Sequence, residues 1–409
     1  MFLKRFPNVF PAKFAVTLSM LSVLSIAASS QALAHGGASV ERSDPGRLIT
    51  FVDVPGYKTL TTDLHTHSVF SDGHVWPRIR VEEALRDGLD GLAITEHLEW
   101  QPHLSDIPHP DRNRAFDIAF AAAADTPLLV IRGAEITRNW PTGHVNAVFL
   151  QDANELLQLG DVADPTDIGA VYQQATEWPP MQAMTAAAGQ GAFLFWNHPF
   201  WSYQRPDGIA VLPEFHQQAI KAGVLHGIEI ANGDEYSEEA FAIALANNLA
   251  VIGVSDVHEL IDWDYEPHLG RHRPLTLVFA EDKGAAAVQA ALFARRTVVY
   301  FKDMLFGREA DLLPLLQASL QITSKGYKAK TQIVELQFSN LSDAPLVLQN
   351  TSAYTLMNLG DVITVAGHET LTVMVKTKIE LPAIDLQFVV LNALTAPKIP
   401  AHVAYKVSL

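Results

Sequence analysis

The sequence predicts an α/β fold: a closed barrel of parallel strands over residues 60–305, followed by a small antiparallel β-sandwich over 315–409. Three observations carry this. From Leu60 to about Tyr300 short β-like runs alternate with helical runs, which implies a parallel sheet, here closed into a barrel rather than doubly wound. After Pro314 the helical period fades and apolar and polar residues alternate, as strands with one buried face require. Thirteen of the 16 histidines fall between His65 and His272, inside the barrel region.

Taken in order, the chain opens on Lys4, Arg5 and Lys13, an apolar stretch over 14–28 and the small-x-small site Ala32-Leu33-Ala34. This reads as a signal peptide over residues 1–34, cleaved to leave His35 first. The apolar stretch of about 15 residues is short of the roughly 20 that a spanning helix needs. A periplasmic or secreted protein with no membrane span after cleavage is expected. Residues 35–59 form an N-terminal lead-in with one strand at 48–54. Barrel strands are expected at 60–65, 91–97, 128–135, 144–150, 192–198, 227–232, 250–258 and 275–280. A helix over 77–87 has Pro77 at its start and Gly88 after its end. Another over 237–248 opens on Ser237 and Glu239, which suit a helix N-terminus. The β-sandwich strands include 331–338, 370–375 and 384–391, with turns at 340–345 and 366–367.

Composition removes several function classes. Without Cys there is no disulfide framework, thiolate metal site or Cys nucleophile. The chain carries 45 acidic against 29 basic residues, and loss of the leader's three basic residues takes its net charge from −16 to −19. Such a surface repels polyanions, so no nucleic acid is expected as a partner.

The positions of the histidines point to metal chemistry. His65 and His67 stand two apart at a strand end, so both imidazoles face the same way. Asp72 follows in a Ser-Asp-Gly turn. His97 and Glu135 end the next two strands, His144 opens the segment after them, and His198 ends another. Asp256 and His258, again two apart, end the last strong strand. The carboxyl ends of barrel strands are where active sites are built. Nitrogen and carboxylate donors without sulfur suit Zn, Mn or Fe, and nine donors are too many for one ion, so two to three divalent metal ions are expected.

These motifs resemble those of the polymerase and histidinol phosphatase (PHP) family. His65-x-His67 with Ser71-Asp72-Gly73 looks like its first motif, Thr95-Glu96-His97 its second, Asn197-His198-Pro199 its third and Ser255-Asp256-x-His258 its fourth. Glu135 and His144 match its mid-barrel pair. The resemblance covers about residues 60–258 and implies a distorted (β/α)7 barrel that hydrolyses phosphate esters. It implies one ion on His65, His67, Glu135 and Asp256, a second on Glu135, His144 and His198, and a third on Asp72, His97 and His258. His74, near Asp72, is left as a spare residue. The C-terminal β-domain lies outside the family core and is similar to the extra domain of some secreted PHP phosphodiesterases.

With no Cys, nucleophile elbow or Ser-His-Asp order, a hydroxide bridging the ions is the expected nucleophile. Asp256 and His258 are candidates to manage protons, and Arg138 and Arg205 to hold a phosphoryl oxygen. Six of the seven Trp (76, 100, 140, 196, 201 and 263) lie within five residues of a proposed ligand. They suggest an apolar pocket for a small-molecule phosphate ester, most readily a diester. The competing readings are a phosphomonoesterase of the histidinol phosphatase type, an amidohydrolase-like or phosphotriesterase-like hydrolase, a TatD-type nuclease and a non-catalytic exported metal-binding protein.

Overall fold

The structure, a computed structural model, describes residues 48–107, 109–160, 164 and 166–409. The expected signal peptide and the first part of the lead-in lie outside the described residues. Among the described residues no helix is long and apolar enough to cross a membrane.

The barrel region contributes strands β1 (Lys58–Asp63), β2 (Gly91–Ile94), β3 (Leu129–Thr137), β4 (His144–Val148), β5 (Phe193–Trp196), β6 (Gly227–Asn232), the short β7 (Glu235–Tyr236), β8 (Ala250–Val254), β9 (Leu275–Ala280), β10 (Thr297–Phe301) and β11 (Met304–Gly307). Strands β1, β2 and β3 run parallel, as do β5, β6 and β8. The ring closes just beyond β1 and β8, where Thr66 bridges Val257 in parallel and the Asp256 amide donates to the His65 carbonyl at 3.0 Å. Residues on these strands are buried almost without break, as a sheet covered on both faces requires. Gly253 of β8 shows how tightly the layers meet, since a Cβ there would lie 2.4 Å from a Val299 methyl.

Two expectations are corrected. The barrel is not uniformly parallel: β4 runs antiparallel to both β3 and β5. Residues 138–143 between β3 and β4 are too few for a crossover, so the chain turns back as a hairpin. Residues 48–54 form no strand. Their backbone straps across the molecule instead, with Ile49 N bonded to Asp87 O at 2.9 Å and Thr50 O accepting from Asp343 N at 3.0 Å.

Helices α1 (Pro77–Arg86), α2 (Arg114–Ala122), α3 (Ile168–Glu177), α4 (Pro180–Gly189), α5 (Glu214–Lys221), α6 (Glu238–Ala246), α7 (Ile261–Asp264), α8 (Ala285–Phe293) and α9 (Glu309–Ser319) complete this part. Pro77 takes the first helical position of α1, where its missing N–H costs nothing. Ser237 caps α6, its hydroxyl accepting from Ala240 N at 3.1 Å.

The C-terminal part is a two-sheet β-structure of β12 (Leu320–Tyr327), β13 (Ile333–Asn340), β14 (Leu346–Asn350), β15 (Thr355–Leu356), β16 (Val362–Val365), β17 (Thr370–Lys376), β18 (Ala383–Ala396) and β19 (Ile399–Ser408). One sheet has the order β12-β13-β17-β15; β16, β14, β18 and β19 form the other. Inward residues alternate along each strand, and Phe338 meets Phe388 edge-to-face at 5.8 Å between the sheets. Strand β18 also pairs in parallel with β11, so this sheet runs on into the barrel sheet. The expected barrel limit at 305 falls inside β11, and the expected β-domain start at 315 falls inside α9. Leu312, Leu315 and Leu316 of α9 share one apolar cluster with Leu277 of the barrel and Val334 of the β-domain, so the two parts meet without a linker.

Candidate metal centre

Strand ends deliver the donors to one mouth. His65 and His67 follow β1, His97 follows β2, Glu135 lies on β3, His144 opens β4, His198 follows β5, and Asp256 and His258 follow β8. Asp72 arrives from the turn before α1. That turn packs so closely on the segment after β1 that a Cβ at Gly73 would lie 2.8 Å from the His67 carbonyl carbon. All nine expected side chains therefore converge.

Three close groups form within this set. His65, His67 and Asp256 meet at Asp256 Oδ1, 3.1 Å from each Nε2, with Glu135 3.5–3.6 Å from the same nitrogens. Asp72 lies 3.2 Å from His97 Nε2 and 3.1 Å from His258 Nε2, with His67 alongside. Glu135 gathers His144 at 3.0 Å and His97 at 2.6 Å. His198, expected in that last group, stands farther off, 3.7 Å from Glu135 Oε1 and 3.8 Å from Asp256 Oδ2. His97 takes the nearer place because its two ring nitrogens reach toward Asp72 and Glu135 at once.

The donor set fits divalent cations. Asp72 Oδ1, Glu135 Oε2 and Asp256 Oδ1 are buried and receive no hydrogen bond, although histidine nitrogens stand 2.6–3.1 Å away. Buried carboxylate lone pairs left over in this way want a cation. Against burial, the neighbouring carboxylates push His65, His97, His198 and His258 up, as a surplus of buried negative charge does. Burial alone would raise the Glu135 carboxyl, but His97, His144 and His65 hold it well below the usual carboxylate range. Burial and the adjacent His258 and His97 bring His67 down to about 3, leaving it as the neutral imidazole a metal needs.

A second layer fixes the donors, and sequence reasoning missed its centre. Glu229, fully buried on β6, accepts from His65 Nδ1 at 2.8 Å with one oxygen. Its other oxygen accepts from the His198 amide at 2.6 Å and from Asn232 Nδ2 at 2.9 Å, and Asn232 also donates to Asp256 Oδ2 at 3.0 Å. His198 and Asp256 both have left-handed backbone, with φ of 25° and 51°, which only surrounding bonds of this kind hold in place. The available signal was a carboxylate in the otherwise apolar run Gly-Ile-Glu-Ile-Ala. Asn197 similarly donates to Glu135 at 2.7 Å, and Glu96 of the second motif accepts from Ser68 and Ser71, the latter 3.1 Å from His67 Nδ1.

The arginine expectations are corrected. Arg138 is buried, pairs with Glu99, and donates to Thr137 O at 2.8 Å and Trp178 O at 2.6 Å. Arg205 donates to Ile209 O at 3.1 Å and Asp207 at 3.0 Å and lies over the Trp140 ring. Neither lines the cavity. His74 lies outside it too, on Glu259 at 2.5 Å.

Above the donors opens a cavity of about 550 Å³, with no Lys or Arg in its wall among the described residues. Of the six tryptophans only Trp100 and Trp201 reach it, joined by Tyr172 and Tyr203. Trp201 stands 5.3 Å from the His198 ring, whereas Trp196 is buried on His216 and Trp263 faces solvent.

Comparison with known proteins agrees with this geometry. Residues 320–406 match the DUF5001 family, an Ig-like domain. No curated protein matches the chain. A two-domain protein from Bacteroides vulgatus, containing a predicted PHP-like metal-dependent phosphoesterase, is 39% identical, with 89% of this chain and 99% of that one covered and a TM-score of 0.77. A protein from Bifidobacterium adolescentis proposed as a metal-dependent phosphoesterase matches at 20% identity over 49% of this chain and 88% of that one, with a TM-score of 0.35. Full-length similarity to the Bacteroides protein, together with the strand-end donors, shows that the chain belongs to the two-domain PHP-like metal-dependent phosphoesterases.

Proposed function

We propose that this metal-dependent hydrolase is a phosphodiesterase acting on small-molecule esters. The observation that carries the reading is the cavity: it lies directly over the converging His, Asp and Glu side chains, yet among the described residues its wall offers no Lys or Arg. A phosphomonoester dianion would need side-chain cations there, whereas a diester carries one charge less. The aromatic wall offers apolar surface for the group a diester retains, at roughly 25 cal/mol per Å² buried.

Two to three divalent ions, of the Mn, Zn or Fe type, would sit on His65, His67, Asp72, His97, Glu135, His144, His198, Asp256 and His258. Bound there, they supply Lewis-acid charge and acidify water for attack on phosphorus. The chain's own part is to hold the donors rigid. Glu229 accepts the His65 Nδ1 proton and so turns Nε2 into the site. The Asp256 carbonyl accepts from His258 Nδ1 at 2.7 Å and turns that ring's Nε2 toward Asp72. Asn232 and Asn197 occupy one oxygen each of Asp256 and Glu135. Trp201 walls the site beside His144 and His198. The same reading has the chain exported and cleaved after Ala34, which N-terminal sequencing of protein from the native compartment checks.

The test is kcat/KM for bis- and mono-(4-nitrophenyl) phosphate with the same metal, alongside elemental analysis. The diester is expected to be the better substrate, on protein holding two to three ions per chain. A monoester advantage of tenfold or more replaces this reading with a phosphomonoesterase, and active protein free of divalent metal overturns it.

A further inference from the structure

We infer that the outer part of this cavity receives an organic ammonium group, so that the preferred diesters carry a cationic substituent. The inference rests on the phosphodiesterase reading and adds the chemistry of the retained group. Two aromatic pairs stand in the wall, Trp100 against Tyr172 at 5.6 Å and Trp201 against Tyr203 at 5.1 Å. Trp100, Trp201 and Tyr203 are all exposed. Glu235, on β7, lines the same cavity, and its carboxylate has no ion-pair partner among the described residues.

Aromatic rings beside a carboxylate also suit a sugar, and the charge of the wall favours the cation. A polyol needs free amides and hydroxyls. Gln204 already donates to Arg138 O at 3.0 Å, Asn232 to Glu229 and Asp256, and Thr137 Oγ1 stands 2.6 Å from His97 Nδ1. The Asn139 side chain and the Tyr172 and Tyr203 hydroxyls carry no hydrogen bond among the described residues, but the charge in this outer wall is negative and sits among aromatic rings. That combination attracts a cation through the ring quadrupoles and the carboxylate together. Among the described residues no Lys or Arg in the wall opposes it, and the chain's net charge of −16 favours it at longer range.

The experiment compares 4-nitrophenyl phosphorylcholine with its neutral isostere, 4-nitrophenyl 3,3-dimethylbutyl phosphate, on the metal-loaded full chain. In each, water attacks phosphorus, the P–O bond to the aryl group breaks, and 4-nitrophenolate leaves while the other ester is retained. We expect kcat/KM to favour the ammonium ester by about tenfold. We expect the ratio to fall below threefold in Glu235→Gln or in Trp100→Leu/Trp201→Leu. A wild-type ratio below threefold overturns the inference, as does a larger ratio that survives both substitutions. Bis(4-nitrophenyl) phosphate measured alongside separates the two failures. If it is turned over and no ammonium preference appears, the cation site alone falls; if it is not turned over, the phosphodiesterase reading falls first.

Discussion

The barrel mouth and the C-terminal β-domain bury very different residues. Around the mouth Asp63, His65, His67, Glu96, Glu135, Asn146, Asn197 and Glu229 are all buried. From β12 onward the buried polar side chains among the described residues are Asn340, Ser342 and Thr377, and the rest of that interior is aliphatic or aromatic. Buried polar groups are costly unless satisfied, so a protein concentrates them where they serve a purpose. In the β-domain the buried side chains serve packing. In the mouth the same burial is spent on positioning donors, and three carboxylate oxygens are still left over for a cation. Yet the two regions share a sheet through β11 and β18 and a core through α9, so their independence is open to experiment.

The largest effect tests that independence from the β-domain side. Phe338→Ala empties the space of a fully buried ring between the sheets and should lower unfolding stability by about 3–5 kcal/mol. Denaturant midpoints read the loss, and kcat of the folded protein should move less than twofold. A parallel fall in kcat would show that the shared sheet transmits strain to the mouth.

From the other side, Glu135→Gln keeps shape but removes the charge that faces His65, His97 and His144. Activity should fall roughly 100-fold or more, with little change in denaturant midpoint. Near-normal turnover with full metal content would exclude Glu135 as a donor. Glu229→Gln reaches one layer further out. It should weaken metal binding by about 10- to 100-fold, read by titration against a competing chelator. Unchanged affinity would reduce Glu229 to a packing residue.

The smallest effect concerns the joint itself. On α9, burial pushes the Asp311 carboxyl up to about 6 despite Arg308, Arg296 and Arg295 nearby. An unfolded Asp titrates near 3.8, so between about pH 4 and 6 the folded protein keeps a proton that the unfolded chain has released. This group's contribution therefore falls as pH rises through that window and stays low above it. Asp311→Asn removes the loss. It should match the wild type at pH 4 and exceed it at pH 8 by about 1 kcal/mol, allowing for the group's partial exposure. Equal midpoints at both pH values would show that the α9 joint tolerates the charge.

Much of this was legible in the chain itself. His65-x-His67 and Asp256-x-His258 are two-residue spacings at strand ends, and the period of a strand alone puts each pair on one face. The alternation in residues 333–340 likewise marks a half-buried strand without help from its neighbours. Such features depend only on covalent geometry and local burial, which sequence order carries directly.

Partnership across the fold is different, because spacing along one element says nothing about what stands opposite it. Arg138 lies three residues from Glu135, yet Glu99 and two backbone carbonyls claim its guanidinium. Glu229 is an isolated acid in sequence and the anchor of His65, His198 and Asn232 in space. Of six tryptophans near ligands in sequence, tertiary packing turned two into the cavity. The chain by itself determined which side chains were available at the strand ends. Only the closed barrel, which brings residues 65, 135, 229 and 256 within reach of one another, decided which pairs share a proton and which leave a lone pair for a metal.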